Sequence, residues 1–418
     1  MPPSADDHRA SRRSVLRAGG AALATGLSAL SAGCTGLPPL GTQVRYGAVE
    51  APDPDPPTYR DWLPAPSVLP DGGDSYQPWV HVPPPADAPS WARTSIGRSL
   101  VAYQTDYVGL DVDDAAFALT YGDATVLRGP VDRETVREVI PDTPYEPAGT
   151  EAGYDVYARP DVERVVAVGP DAVVFGNGPT AREYVRATVD AGRGDVARYY
   201  ERDADLAALT DSAGTRRWAW LWPAGVGTSS TKDDLRTDTV GWATAFDHDD
   251  SGAYYVQTWV FPPGYDPTVG AVKESHKAEQ RVGRADPSAA RAVDVTVEGR
   301  VAAVEMHLTW DAIEEVAGDH TLVAPHVTWR ASVSPDADRL TIHHVAGDPV
   351  RTDWLWVEGA GSETDGPVAA TADVGDRLDP GEELVVATAD AEPGATVRLV
   401  YRVPDGNAST TLFDYDLL

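Results

Sequence analysis

The chain has a single cysteine, Cys34, and so cannot close a disulfide within itself. Lysine is nearly missing as well: Lys232, Lys273 and Lys277 are the only three, so positive charge is almost entirely arginine. With 34 basic side chains against 65 acidic ones the formal net charge is −31. So acidic a surface excludes nucleic acid as a partner. It equally disfavours docking on anionic lipid headgroups. The apolar run Ala18 to Leu30 is 13 residues long, well short of the roughly 20 that a spanning helix needs. Signatures of catalysis are missing too. There is no G-x-S-x-G elbow and no cysteine–histidine nucleophile pattern. The nearest approach to a phosphate cradle, Gly225 to Lys232, lacks the G-x-x-x-x-G-K-[ST] order and reads as a flexible loop. Carboxylate pairs occur throughout, so none singles out an acid–base site. No enzyme activity and no cofactor are expected.

What is present is acid and indole. Self-repulsion at −31 destabilises a compact chain in dilute salt, where the Debye length is long, and largely vanishes at molar salt, where it falls to about 3 Å. The composition therefore suits concentrated salt. Disorder, the other common reason for acidity, is opposed by 42% apolar residues and twelve tryptophans.

Arg12 and Arg13 precede the apolar run, which ends in Leu30-Ser31-Ala32-Gly33-Cys34. This resembles a twin-arginine export signal joined to a lipoprotein box, with Val15 in place of the usual Phe and Leu30 one residue early. The resemblance implies cleavage before Cys34, lipidation of its thiol, and an exported protein held by membrane lipid on the outer face of the cell. Twin-arginine export carries folded proteins, in keeping with a fold that owes nothing to disulfides. Residues 1–34 carry a net +2, so what remains is near −33. Acidity and export signal together resemble surface lipoproteins of halophilic archaea.

The expected fold class is α+β, with two related antiparallel-sheet-plus-helix modules followed by a small β-sandwich. After the signal (1–34), residues 35–90 are dense in proline and read as an extended arm. Asp61-Trp62-Leu63, Tyr76 and Trp79 to Val82 are too apolar for a bare tether and should pack on the body. Module 1 (91–215) shows a hairpin over 117–128, a helix from Arg133 to Ile140, strands near 153–176 and a helix from Ala181 capped by Thr180 and ended by Gly192. Module 2 (216–325) repeats the grammar: strands at 241–246 and 253–261, a helix within 267–282, a hairpin over 292–308 and a short helix from Asp311 to Val316. Residues 326–418 alternate short strands with Gly, Pro and Asp turns, which predicts the sandwich.

Leu340 to Asp348, Gly375 to Glu382, Val397 to Tyr401 and the stretch from Ser409 to Leu412 resemble the β-rich domain of archaeal pilin-like surface proteins. A pilin's hydrophobic assembly helix is replaced here by a lipoprotein signal, so the resemblance implies a shared surface domain and not a pilus subunit.

Few residues suggest a site. Trp218, Trp220 and Trp222 alternate and so share one strand face, as a sugar or ligand platform or, more commonly, as core. His343 and His344 are adjacent, point to opposite faces and read as structural or solvent-exposed. His307, His320 and His326 lack the spacing of a zinc pair. Asp247, Asp249 and Asp250 before Gly252, like Asp336 and Asp338, have the look of calcium ligands but read as turn residues. Asn407-Ala408-Ser409 is a glycosylation sequon in a turn. The expected function is a binding or structural role in the envelope of a halophile, through an envelope protein or a small ligand. The alternatives are a solute-binding receptor or exported enzyme with its site between the modules, and an accessory of surface-filament assembly.

Overall fold

Alternation of apolar residues along short runs makes this chain mostly strand, with few and mainly short helices. A computed structural model of the chain describes residues 47, 49, 51–73, 76–84, 96–223, 239–281, 290–310, 322–361, 365–371, 374–392, 394–403 and 409–417. Arg12, Arg13, Cys34, the loop 225–232, the helix expected over 311–316, His320 and Asn407 lie outside them. The fold is α+β. Its strands and helices, in chain order, are β1 (Trp79–His81), α1 (Ile96–Gln104), β2 (Phe117–Tyr121), β3 (Ala124–Arg128), α2 (Arg133–Val139), β4 (Glu146–Glu151), β5 (Tyr154–Ala158), β6 (Arg164–Val168), β7 (Ala172–Asn177), α3 (Ala181–Arg193), α4 (Tyr199–Arg202) and α5 (Ala204–Ala213). There follow β8 (Trp218–Pro223), β9 (Gly241–Asp249), β10 (Gly252–Val260), α6 (Val269–Arg281), β11 (Ala290–Glu298) and β12 (Val301–Leu308).

These twelve strands form one antiparallel sheet in the order β11-β12-β10-β9-β8-β1-β2-β3-β7-β6-β5-β4. The two sheet-plus-helix halves are therefore continuous, and the strand that joins them, β1, comes from the stretch read as an arm. Trp79 pairs with Thr120 on one side and Trp220 on the other. From residue 51 the described part of that arm belongs to the body: Tyr59, Leu63 and Val80 are wholly buried and Tyr76 nearly so. Its prolines fall outside the three-residue strand, where a missing N–H costs no ladder bond.

A common grammar underlies the halves. Each begins with a hairpin (β2–β3, β9–β10), continues through a helix (α2, α6) and returns a last strand (β7, β12) against the hairpin's second member. Neighbours alternate in direction, so β2 and β9 run opposite ways. A half-turn about the sheet normal relates the repeats, which leaves both helices on the same face. On that face Val136 of α2 joins Leu127, Val166 and Phe175, while Val272 of α6 joins Val293, Val304 and Met306. The other face carries Leu119, Val126, Val174, Leu221 and Val256 under α3, α5 and the arm. Gly192 does not end α3. It lies within the helix, where it admits the Trp62 ring, and the left-handed cap is Gly194, with φ 78°. Thr180 makes no cap bond; its hydroxyl donates to Asp123.

Both sheet edges are blunted. β4 carries Pro147, a bulge at Gly149 and the charges of Glu146 and Glu151. Along β11, Gly47 N–H donates to Val293 O at 2.9 Å, and Val49 and Ala51 pack beside Tyr254.

The chain then builds β13 (Val327–Val333), β14 (Arg339–Gly347), β15 (Val350–Arg351), β16 (Leu355–Glu358), β17 (Gly366–Pro367), α7 (Val368–Thr371), β18 (Arg377–Leu378), β19 (Glu383–Ala387), β20 (Thr396–Arg402) and β21 (Ser409–Asp416). Sheets β13-β14-β19 and β17-β16-β20-β21 close on one core with Trp329, Ile342, Leu355, Leu399 and Phe413. Helix α1 is the wedge between the two bodies, Val101 belonging to the large-sheet core and Ala102 to the sandwich core. Below it, buried Asp106 accepts from Arg159 (2.9 Å), Arg164 (2.6 Å) and Tyr145 (2.9 Å), and Arg159 also donates to Trp329 O at 2.6 Å.

Candidate functional site

The residues that carry aromatic mass without charge meet on β8, β9 and β10, on the face opposite the one that α5 covers. Register sets them in three rows: Trp218, Phe246 and Tyr255; Trp220, Thr244 and Gln257; Trp222, Trp242 and Trp259. Strand β1 extends the first two rows with His81 and Trp79. Residues two apart on a strand and opposite across strands share a face, so the grid follows from sequence alternation plus pairing. Sequence reading singled out Trp218, Trp220 and Trp222. It passed over Trp79, Trp242, Phe246, Tyr255 and Gln257, although the period-two pattern in β9 (Trp242, Thr244, Phe246, His248) was there to find.

The indoles form a column. Trp242 lies on Trp222 at 3.5 Å and 7°, Trp222 on Trp220 at 4.0 Å and 30°, and Trp220 on Trp79 at 4.0 Å and 33°. Trp218 meets Trp79 edge-on at 5.5 Å. Trp220 and Trp222 are thus flanked on both faces by other indoles. Each contact of this kind contributes about 0.5–1.5 kcal/mol beyond burial, so the column helps to fasten β1, β8 and β9 together. It is not sealed core. Trp79, Trp218, Trp220, Trp222 and Trp242 are half-buried, whereas Trp259 is 2% exposed.

Several polar atoms of the grid lack partners. The indole Nε1 of Trp218, Trp220 and Trp259 and the Oε1 of Gln257 are shielded from solvent and make no hydrogen bond. A shielded group left so costs about 1–3 kcal/mol. The imidazoles here are neutral. Burial first, then Arg98 and Arg217, bring His81 down to about 3. Burial and Arg217 lower His248 against the opposing pull of Asp247 and Asp249. No ionised side chain occupies any of the nine positions in the three rows.

The other singled-out residues are structural. His326 is fully buried, its Nε2 3.0 Å from Thr105 Oγ1, with its ring edge-on to Tyr107. His344 is buried with Nδ1 2.9 Å from Leu378 O, while its neighbour His343 faces Glu383 at 3.3 Å on the other side. His307 stacks on Tyr254, far along the fold from His326. Asp249 accepts from Ser251 and Tyr254 and closes the β9–β10 turn, and Asp247 pairs with Arg216. Asp338 accepts from Ser334 in the turn that contains Asp336. Ser251 Oγ lies 3.4 Å from His307 Nε2, but the carboxylate of Asp249 bonds the serine and not the imidazole, so no relay is formed. Among the described residues no group of three or more His, Cys, Asp or Glu is placed to hold a metal ion. None of their helices is long and apolar enough to cross a membrane.

No family model matches the sequence, and no curated protein matches it. Three crystal forms of TP0453 are similar in structure. Form III gives a TM-score of 0.35 at 11% identity over 64% of this chain and 98% of that one. Form I gives 0.36 at 10% over 61% and 96%, and form IV 0.34 at 10% over 60% and 95%. Similarity at this level leaves the functional argument to the residues themselves.

Proposed function

We propose that the chain is a non-enzymatic lipoprotein of a halophile's cell surface, anchored through Cys34, whose role in the envelope is to bind an uncharged partner on the indole grid. One observation carries the binding part. In a chain of net charge −31, nine neighbouring positions on β8, β9 and β10 are uncharged, seven are aromatic, and all but Thr244 and Trp259 are half-buried. A random acidic surface does not spare such an area, and a sealed core does not leave five indoles partly in water. The anchoring part is supported by the arginine pair and by the single cysteine placed after small residues. The site lies in the first three strands of the second half, beside the joining strand, and not in a crevice between separate modules.

Membrane fractionation in molar salt tests the anchor. Wild-type protein should sediment with membranes, and Cys34→Ser should be released while keeping its fold by circular dichroism. A mutant that stayed membrane-bound would show the lipid anchor to be wrong.

A further inference from the structure

The last strand of the sheet β13-β14-β19 has an open edge. Elsewhere the long edges are blunted or covered: β4 by Pro147 and its bulge, β11 by Gly47, β13 where Trp329 O accepts from Arg159, and β21 where Asp414 accepts from Tyr103 of α1. Strand β19, Glu383-Leu384-Val385-Val386-Ala387, holds no proline or lysine, pairs with β14 without a bulge and carries one charge. Leu384 and Val386 belong to the sandwich core, whereas Glu383, Val385 and Ala387 are exposed, Val385 at 49%. The backbone alternates in the same way. Thr388 N–H donates to Asp338 O and Glu382 O accepts from His344, so residues 384 and 386 also turn to β14. The N–H and C=O of residues 383, 385 and 387 turn away from it, and among the described residues no hydrogen bond reaches them.

This edge is complementary to itself. Two antiparallel copies of β19, related by a twofold axis at Val385, set that valine against its counterpart and Glu383 opposite Ala387, so no like charges meet. Every backbone group that turns away from β14 then finds a partner. Arg339 of β14 stands beside Ala387, exposed, and meets Asp338, its chain neighbour, at 3.4 Å. Two strand spacings, about 10 Å between Cα atoms, separate it from Glu383 of the second copy. The small Ala387 between them leaves room for the two long side chains to meet, and the twofold forms that ion pair twice. We propose that β19 is a homodimer edge, at which a second copy of the chain extends β13-β14-β19 into one continuous sheet. Net charge −31 opposes the contact in dilute salt, but in molar salt its reach falls to about 3 Å. Strands of five residues make a small interface beside the roughly 1,200–2,000 Å² of a stable dimer, so association is weak and concentration-dependent.

The test is sedimentation velocity on the full chain carrying Cys34→Ser in molar potassium chloride, from about 1 µM to about 1 mM. The average mass should rise from monomer towards dimer across that range. Val385→Pro removes an N–H that points away from β14, so the fold should stand by circular dichroism while the dimer weakens at least about tenfold. Glu383→Arg faces Arg339 with like charge and should weaken the dimer about three- to tenfold. Adding Arg339→Glu to that variant should restore it. A chain that is still monomeric at the highest concentration overturns the proposal, as does a dimer indifferent to Val385→Pro. Loss on Glu383→Arg without recovery in the double variant overturns the twofold register and the proposal with it. If the proline disturbs the fold, Val385→Lys decides instead: it keeps the ladder with β14 and sets two ammonium groups at the axis, and an unweakened dimer there is equally a refutation.

Discussion

Acidification between pH 7 and pH 5 should destabilise this protein through two buried imidazoles. His326, held against Thr105, and His81, next to the indole column, are both nearly or wholly buried. Burial lowers His326 to about 4, with Arg98 pushing the same way against Asp111 and Asp348, and His81 to about 3. Their unfolded value is 6.5, so between the folded and unfolded values the unfolded chain binds more protons and stability falls with pH. Stability is complete above about pH 6.5 and declines as pH drops towards the folded values. Integrating that linkage from pH 7 to pH 5 gives about 2 kcal/mol for each histidine, or about 4 kcal/mol together. His248, His276 and His344 shift in the same direction and add to the effect. Asp106 belongs to a lower window. Burial raises its carboxyl, but Arg164 and Arg159 outweigh this and hold it below 3.8, so its contribution disappears only in stronger acid. Urea unfolding at both pH values in molar salt measures the loss, and His326→Gln should remove about half of the two-histidine difference whatever its effect at pH 7. Equal or greater stability at pH 5 would refute the reasoning.

Two substitutions probe the joints of the fold. Gly192→Ala should destabilise, against the usual gain of about 1 kcal/mol for such a change in a helix, because its Cβ would stand 2.6 Å from the Trp62 ring. Overpacking of this kind costs about 1–3 kcal/mol, and a higher melting temperature in the mutant would show that the arm does not seat there. Asp106→Asn removes one of the two carboxylates that pair with Arg159, whose side chain is fully buried, leaving it Asp161 alone, and should cost about 3 kcal/mol in chemical denaturation. Limited proteolysis should then cut between the large sheet and the sandwich; unchanged resistance would count against a network that ties them.

Much of the fold is legible in the sequence where local signals are strong. The hairpin over 117–128 follows from two apolar runs around Gly122-Asp123, and the strands near 241, 253, 292 and 300 from alternation. Helix α1 escapes such reading because Ile96–Gln104 is short and only weakly patterned, and its place between two cores is a tertiary fact. Strand β4, Glu-Pro-Ala-Gly-Thr-Glu, carries no β-formers beyond one threonine and is held by pairing with β5 alone. The continuity of the sheet is hidden for a similar reason. A proline-dense stretch signals a tether, yet three of its residues, Trp79, Val80 and His81, pair on both sides and weld the halves. At the site, alternation shows that Trp218, Trp220 and Trp222 share a face. The neighbours that complete the grid come from strand order, which composition and spacing do not contain.

Hydroxyl-radical footprinting read by mass spectrometry addresses the central claim residue by residue. If the grid is an open binding face, Trp79, Trp218, Trp220, Trp222 and Trp242 should oxidise readily in the native protein, while Trp259 and Trp329 stay protected until it unfolds. Protection of all seven tryptophans alike in the free protein would contradict the account, because the indoles would then be core.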